Sequence, residues 1–320
     1  MEVIRPFVKW AGGKGSLIPQ LKNFYPFELE NNKIERYIEP FVGGGAVLIN
    51  ILQNYEIKEA YAFDINRDLI NCYNVIKNDV ESLIQELEKK ENEFFKLENK
   101  EREELFYEIR NKYNSYKINE NEVNVKRASE FIFLNRTCFN GLYRVNKSGQ
   151  FNVPCGKYKN PTICDASNLR NLSYLIRKVN FEYGDYKKSE KYVDSNTFVY
   201  FDPPYRPLSN TSGFTSYTKE DFNDDNQIEL ASYFRLLDDK NAKLMLSNSN
   251  PKNTNKNDTF FDEIYKGFNI NEIYAKRMIN ANAKGRGEIS ELLITNYKEM
   301  DECIQENSIL RKVVFRGFYY

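Results

Sequence analysis

Tyr37-Ile38-Glu39-Pro40-Phe41-Val42-Gly43-Gly44-Gly45 is a short, partly β-favouring segment that runs into a glycine turn. Ala46 to Leu52 then carries apolar residues at helical spacing, so the stretch reads as strand, turn and helix. About 20 residues beyond the glycines, Ala60-Tyr61-Ala62-Phe63-Asp64 predicts a second strand ending in a carboxylate, the spacing at which α/β nucleotide folds hold ribose hydroxyls. A helix from Arg67 to about Lys77 follows.

Downstream the alternation breaks. Val80 to about Tyr116 is long, charged and helical, and Ala128 to Cys138 predicts another helix. Asn140-Gly141 and Ser148-Gly149 are turn dipeptides flanking Leu142 to Lys147, which predicts a hairpin. Alternation resumes with a helix over 166–179, strands over 180–183 and 197–201, a helix over 220–237, and strands over 242–247 and 291–296. The expected fold class is α/β: a Rossmann-like, doubly wound, mainly parallel sheet, split by an inserted, mostly helical lobe that carries a β-hairpin. The expected division is a core of residues 1–78 and 165–297, a lobe of residues 79–164, and a C-terminal extension of residues 298–320 that fits no element.

With 320 residues the chain can bury a full core. It has no histidine, which removes imidazole bases, His-based triads and the commonest metal ligand together. Its five cysteines (Cys72, Cys138, Cys155, Cys164, Cys303) form no Cys-x-x-Cys pair, so neither a metal site nor a disulfide framework is expected. Catalysis has to rest on carboxylates, backbone groups and aromatic faces. Without a long apolar run, and without a signal-type segment in Met1 to Trp10, a cytoplasmic protein with no membrane partner is expected. Formal charge is zero, 46 basic against 46 acidic side chains, but the balance hides segregation. Ten acids face five bases between Glu81 and Glu108, whereas Lys126 to Lys159 holds seven bases and the single acid Glu130. The second stretch suits a polyanion locally.

A glycine turn at a strand's carboxyl end lets a ligand approach the backbone and aims helix N-terminal N–H groups at it. Glu39, Phe41, Gly43 and Gly45 are its candidate cofactor residues. Asp64 suits a ribose diol, although a carboxylate there also suits a helix cap from Asn66 onward. In Lys9-Trp10-Ala11-Gly12-Gly13-Lys14, the lysine beside two glycines can reach a carboxylate; a basic loop with Trp10 as a core anchor is the plainer alternative. Gly184-Asp185-Tyr186 ends a predicted strand, where Asp185 could accept from an adenine amino group and Tyr186 pack on the ring. A turn with a surface Asp explains it more simply. Gly43-Gly44-Gly45 continues as Ala46-Val47-Leu48, without the third glycine of the dinucleotide fingerprint, so S-adenosylmethionine fits better than a nicotinamide cofactor.

Asp202-Pro203-Pro204-Tyr205 follows the strand Phe198-Val199-Tyr200-Phe201, which heads for the carboxyl edge of the sheet. Consecutive prolines fix the backbone and delete two N–H donors, so the site offers acceptors: the Asp202 carboxylate and the Pro203 carbonyl. That suits an NH2 group. An exocyclic adenine amine is a poor nucleophile because its lone pair is delocalised into the ring. Acceptors for both its hydrogens favour a pyramidal nitrogen and stabilise the positive charge developing there. Tyr205 can stack on the base and set the line of attack. A strand broken by a Pro-Pro turn explains the prolines but not the Asp and Tyr beside them. Reaching such an amine inside a duplex requires extruding the base, at roughly a few kcal/mol, so a grip on DNA is expected.

With both ends in view, the chain resembles the Dam-type DNA adenine-N6 methyltransferases, in the class whose recognition insert lies between the cofactor half and the catalytic tetrapeptide. The likeness spans about residues 5–297 and rests on Lys9 to Lys14, Glu39 to Gly45, Asp64, Asn135 to Lys159, Asp202 to Tyr205 and Pro207 to Tyr217, in that order. It implies an S-adenosylmethionine-dependent catalytic core and a target-recognition lobe, acting on double-stranded DNA within GATC as a monomer, and allows a cognate restriction endonuclease on the same site. Trp10, Lys14, Asp64 and Asp202 would line the cofactor pocket. Asn135-Arg136-Thr137-Cys138-Phe139-Asn140-Gly141-Leu142-Tyr143-Arg144-Val145-Asn146 resembles the target-reading hairpin, with Arg136 and Asn146 among its DNA-binding residues. By this resemblance Phe139 wedges into the base stack and Asn140 and Leu142 touch bases. Arg144 reads guanine, whose O6 and N7 a guanidinium can pair. Lys157, Tyr158 and Lys159 hold phosphates, and Pro207 to Tyr217 closes over the DNA. From residues alone, the stretch Asn135 to Lys159 is more simply a basic hairpin with Phe139 in the core, and Pro207 to Tyr217 a long polar linker.

Two departures stand out. Cys155 occupies a position where relatives with this motif commonly have Phe; the resulting Pro154-Cys155 matches the nucleophile dipeptide of cytosine-C5 methyltransferases, but that chemistry has no use for Asp202 to Tyr205. The tail beyond Lys298 is longer than the family core. Rival readings are an amino-methyltransferase for another DNA word or for single-stranded nucleic acid, and a non-catalytic DNA-binding regulator. Protein-glutamine methyltransferases usually begin the tetrapeptide with Asn, which Asp202 argues against.

Overall fold

The computed structural model describes residues 3–119, 122–207, 222–276 and 288–298. Strands β1 (Arg36–Glu39), β2 (Glu59–Asp64), β3 (Val179–Tyr183), β4 (Thr197–Phe201) and β5 (Lys243–Ser249) are mutually parallel. Strands β6 (Asn269–Lys276) and β7 (Glu288–Thr295) complete one side antiparallel, giving the order β3-β2-β1-β4-β5-β7-β6. The order reverses at β1 and β4, which are direct neighbours with Ile38 opposite Val199. Their carboxyl ends carry the glycine turn and the Asp-Pro-Pro-Tyr segment, at the switch point where open α/β sheets leave a crevice.

Adjacent strand residues feed opposite cores. Tyr37, Phe198, Tyr200 and Met245 belong to one, and Ile38, Val199, Phe201, Leu244 and Leu246 to the other. This period-two supply of large apolar side chains to both faces is what a helix-covered parallel sheet requires. After two single-turn helices, α1 (Ile18–Leu21) and α2 (Phe27–Glu30), come α3 (Ala46–Asn54), α4 (Arg67–Asn78), α5 (Val80–Lys96), α6 (Asn99–Ser115), α7 (Val125–Thr137), α8 (Ala166–Leu175), α9 (Asp224–Asp238) and α10 (Phe260–Ile264). The first core takes α3 to α8 and the second takes α9 and α10. None of the described helices is long and apolar enough to cross a membrane.

The doubly wound fold is as expected, with local differences. The single helical run expected over 80–116 is two helices, broken where Glu98 leaves helical geometry and forms a reciprocal cap with Glu101. The helix expected over 166–179 stops at Leu175, and Val179 already pairs with Ala60. The hairpin is shifted: Val145 faces Phe151 across a turn at 146–149. Asn140 and Gly141, at φ of 55° and 62°, form a tight turn before it. Strand β6 has no counterpart among the expected strands, because an edge strand with Asn269, Asn271 and Glu272 alternates weakly. Expectations for residues 208–221 and 299–320 lie outside the described residues.

Among the described residues, the stretch 79–164 forms no separate core. Leu83, Phe106, Phe131, Phe133 and Phe151 belong to the same cluster as Leu48, Leu69 and Ile76. A buried ion pair strengthens the seam: Arg127 of α7 grips both oxygens of Asp68 in α4 at 2.8 and 2.9 Å, and Asp68 also accepts from the Tyr113 hydroxyl at 2.5 Å. Removing one partner of such a pair costs about 3–5 kcal/mol, so this contact couples α7 firmly to α4.

Candidate active site

Gly43 and Gly45 have φ of 46° and 70°, which glycine adopts without strain. A side chain on Gly43 would also meet the Trp10 indole, 2.8 Å from an added Cβ. The turn is stitched to β2. Val42 N–H donates to the Phe63 carbonyl (2.9 Å), and Gly43 N–H donates to Asp64 Oδ2 (3.0 Å). Asp64 Oδ1 accepts from Asn66 N–H (2.8 Å), but it is Asn66 whose side chain caps α4, through Leu69 N–H. Burial outweighs both bonds and pushes the Asp64 carboxyl up to about 6. Two of its roughly four acceptor positions are used, leaving capacity for a diol.

Phe41 stacks on Tyr186 with ring centres 5.3 Å apart. Tyr186 is only 4% exposed, so the expectation that it packs directly on a bound ring is corrected: Phe41 already covers it. Asp185 is exposed and accepts from Lys187 N–H, capping the turn that follows. Ile65, 49% exposed beside Asp64, escaped the sequence reading; an apolar residue directly after an acidic strand end was its signal. Glu39 is buried, accepts from the Tyr37 hydroxyl (2.9 Å), and is held well above the usual carboxylate range by that burial.

At the neighbouring strand end, Asp202 Oδ1 pairs with the Lys14 ammonium at 2.8 Å. Lys14 is 4% exposed, donates to the Gly12 carbonyl (2.7 Å), and lies 4.6 Å from the centre of the Tyr205 ring. Burial raises the Asp202 carboxyl, and Lys14 opposes that rise. The Tyr205 hydroxyl donates to Glu291 Oε2 at 2.6 Å. Glu291 comes from β7, far along the chain, and nothing local announced it. Pro204 offers its carbonyl to Gln227 (3.0 Å), whereas no donor among the described residues reaches the Pro203 carbonyl.

One arm of chain, Phe7 to Lys14, touches both the inserted lobe and this site. Asn135, buried in α7, exchanges two bonds with the main chain of Lys9 (2.8 and 2.9 Å) and donates to the Gly141 carbonyl. Trp10 stacks on Tyr143 at 5.6 Å while packing over Gly43 and Gly44. Trp10 is therefore a bridge that also packs, half-buried, against the first core. Arg136 is spent on the same arm: two of its N–H groups donate to the Phe7 carbonyl, so it does not join the exposed set.

Phe139 is 51% exposed, which overturns the alternative that buries it in a core. Asn140, Arg144, Lys157 and Lys159 are exposed; Leu142, Asn146 and Tyr158 are half-buried. Arg144 Nε donates to Asn152 Oδ1 (2.8 Å), which fixes the guanidinium by one edge. Asn146 Oδ1 accepts from Ser148 and Gln150 N–H and builds the turn, and Lys9 lies over the Tyr158 ring at 4.3 Å. Burial, with Glu103 nearby, pushes the Cys155 thiol up to about 11, which disfavours the nucleophilic thiolate near neutrality.

A family model described as D12 class N6 adenine-specific DNA methyltransferase matches residues 10–279. A Type II methyltransferase of Methanocaldococcus jannaschii, M.MjaIII, is 53% identical over 92% of this chain and 99% of its own length. M1.LlaDCHI of Lactococcus lactis subsp. cremoris, also a Type II methyltransferase, is 38% identical over 92% of this chain and 96% of its own length. A DNA adenine methylase of Vibrio cholerae is 33% identical over the same shares of the two chains.

Proposed function

Because the chain belongs to the D12 class of N6 adenine-specific DNA methyltransferases, we propose that it methylates the N6 amine of an adenine extruded from duplex DNA, within GATC, using S-adenosylmethionine. The observation that carries this reading is the adjacency of two sites at the β1/β4 switch point: a glycine turn with a diol-ready carboxylate, and an acceptor-only turn whose Asp202 pairs with Lys14.

S-adenosylmethionine supplies an electrophilic methyl group. The residues present suit it: Asp64 for the ribose diol, Phe41 and Ile65 as apolar walls for a flat heterocycle, and glycines that let it meet the backbone. Asp202 and the Pro203 carbonyl take the two amine hydrogens and meet the charge that grows on nitrogen. Lys14 opposes the rise that burial imposes on the Asp202 carboxyl, and Tyr205, pinned by Glu291, sets the face of the base. Residues 79–164 read the target, with Phe139 as wedge, Asn140 and Leu142 on bases, Arg144 on guanine, and Lys157 to Lys159 on phosphates. The Type II naming of two relatives supports a restriction endonuclease acting on the same site.

Expression in a host without adenine methylation, followed by sequencing of modified bases, tests the whole reading. N6-methyladenine confined to GATC is expected; its absence everywhere would reject the function, and another word would reject the target.

Asp64 adds a pH signature. Its raised carboxyl is ionised above about pH 6 and protonated below, so binding of S-adenosylmethionine alone should weaken as pH falls through that value. Titration calorimetry on Asp64→Asn should give weaker binding without that dependence. A wild-type affinity that stays flat from about pH 5 to 8 would take Asp64 out of the role.

A further inference from the structure

Beneath the tetrapeptide lies a buried chain of amides. Asn248, near the end of β5, and Gln227, in α9, are both fully buried. Asn248 Oδ1 accepts from the main-chain N–H groups of Arg206 (3.1 Å) and Ser249 (2.9 Å). Those donors cannot reverse roles, so the orientation of the Asn248 amide is fixed by its surroundings, and its Nδ2 donates to Gln227 Oε1 (3.0 Å). Gln227 is fixed in turn, and its Nε2 donates to the Pro204 carbonyl (3.0 Å). The Ser249 hydroxyl meanwhile donates to the Arg206 carbonyl (2.7 Å). The turn over 202–206 is thus held from below at three main-chain atoms, by a chain whose polarity runs one way.

We propose that Gln227 and Asn248 are positioning residues for the methyl transfer: they occupy the Pro204 carbonyl and lock the turn, leaving the Pro203 carbonyl and Asp202 as the pair that holds the amine. This rests on the adenine-amine reading of the site. Neither residue touches cofactor or base in this scheme, so their effect belongs in kcat. A mere buried plug would change melting temperature and leave the chemical rate alone.

Two near-isosteric variants separate these cases. In Gln227→Glu the donor to Pro204 exists only while the introduced carboxyl is protonated, so the single-turnover rate should fall relative to wild type as pH rises through that group's titration. In Asn248→Asp the side chain no longer donates, Gln227 turns its Nε2 toward it, and Gln227 Oε1 then opposes the Pro204 carbonyl. A misplacement of that kind should lower the rate by up to about a hundredfold near neutral pH, with affinities for S-adenosylmethionine and duplex DNA unchanged. Asp202, Tyr205 and Arg206 within the turn, and Lys14, Glu291, Asp224 and Asp258 around it, are the same in wild type and variants, so the difference between profiles reports residue 227. If Gln227→Glu does not fold, Gln227→Met, which lacks the donor at every pH, must show the same loss without pH dependence. Profiles that overlay wild type, or a lowered melting temperature at wild-type rate, would overturn the proposal. A wild-type enzyme that forms no N6-methyladenine would instead sink the reading beneath it.

Discussion

Asp202→Ala lowers the rate of methyl transfer by roughly 10²–10³-fold, the loss that follows removal of one preorganised group facing transition-state charge. The same substitution strands Lys14, which is almost wholly buried, with the Gly12 carbonyl, the Tyr205 ring and the buried Glu39 near it among the described residues. Breaking such a pair is destabilising by about 3–5 kcal/mol where the remaining charge cannot reach water, so a lowered melting temperature accompanies the lost activity. Asp202→Asn separates the two effects. Its amide oxygen still accepts from Lys14, so stability should recover, while the missing negative charge keeps the rate low. Single-turnover methylation of a duplex, beside thermal melts of both variants, makes the comparison; full activity in Asp202→Ala would refute the amine clamp.

Arg144→Ala relaxes discrimination at one guanine by about 1–3 kcal/mol, roughly 5- to 150-fold in relative kcat/KM between the target and its single-base variant. The geometry favours an end-on reading of the base. Nε is engaged by Asn152, whose main-chain N–H returns a bond to the Arg144 carbonyl, so the side chain leaves the turn in a set direction. Asn152→Ala should then reproduce part of the loss without touching DNA. Competition between duplexes differing at one position measures both, and unchanged preference in Arg144→Ala would remove that residue from target reading. Lys157→Ala and Lys159→Ala differ in kind: each should weaken all duplexes alike and reduce the salt slope by about one.

What the sequence made legible was local. The glycine turn, Asp64 and the Asp-Pro-Pro-Tyr segment are each a few consecutive residues whose chemistry follows from composition and spacing. Their meeting required only the strand order of a doubly wound sheet. What it hid was long-range or faintly patterned. Glu291 reaches Tyr205 across 86 positions, and Gln227 and Asn248 arrive from separate elements. Asn248 and Ser249 also lengthen β5 beyond its apolar run, because a strand that ends under a polar turn needs polar residues there. The cover over Tyr186 is hidden because a ring's open face depends on neighbours, here Phe41, that periodicity does not specify.

The arm from Phe7 to Lys14 has a practical meaning for exchanging specificity between relatives. Transplanting residues 79–164 alone would leave the incoming Asn135 and Tyr143 facing a foreign segment, with the Lys9 and Trp10 contacts mismatched. A chimaera that also carries the donor's stretch through Lys14 and its α4, which presents Asp68 to Arg127, keeps the contacts on both sides matched, and should fold and modify DNA where the simple graft fails.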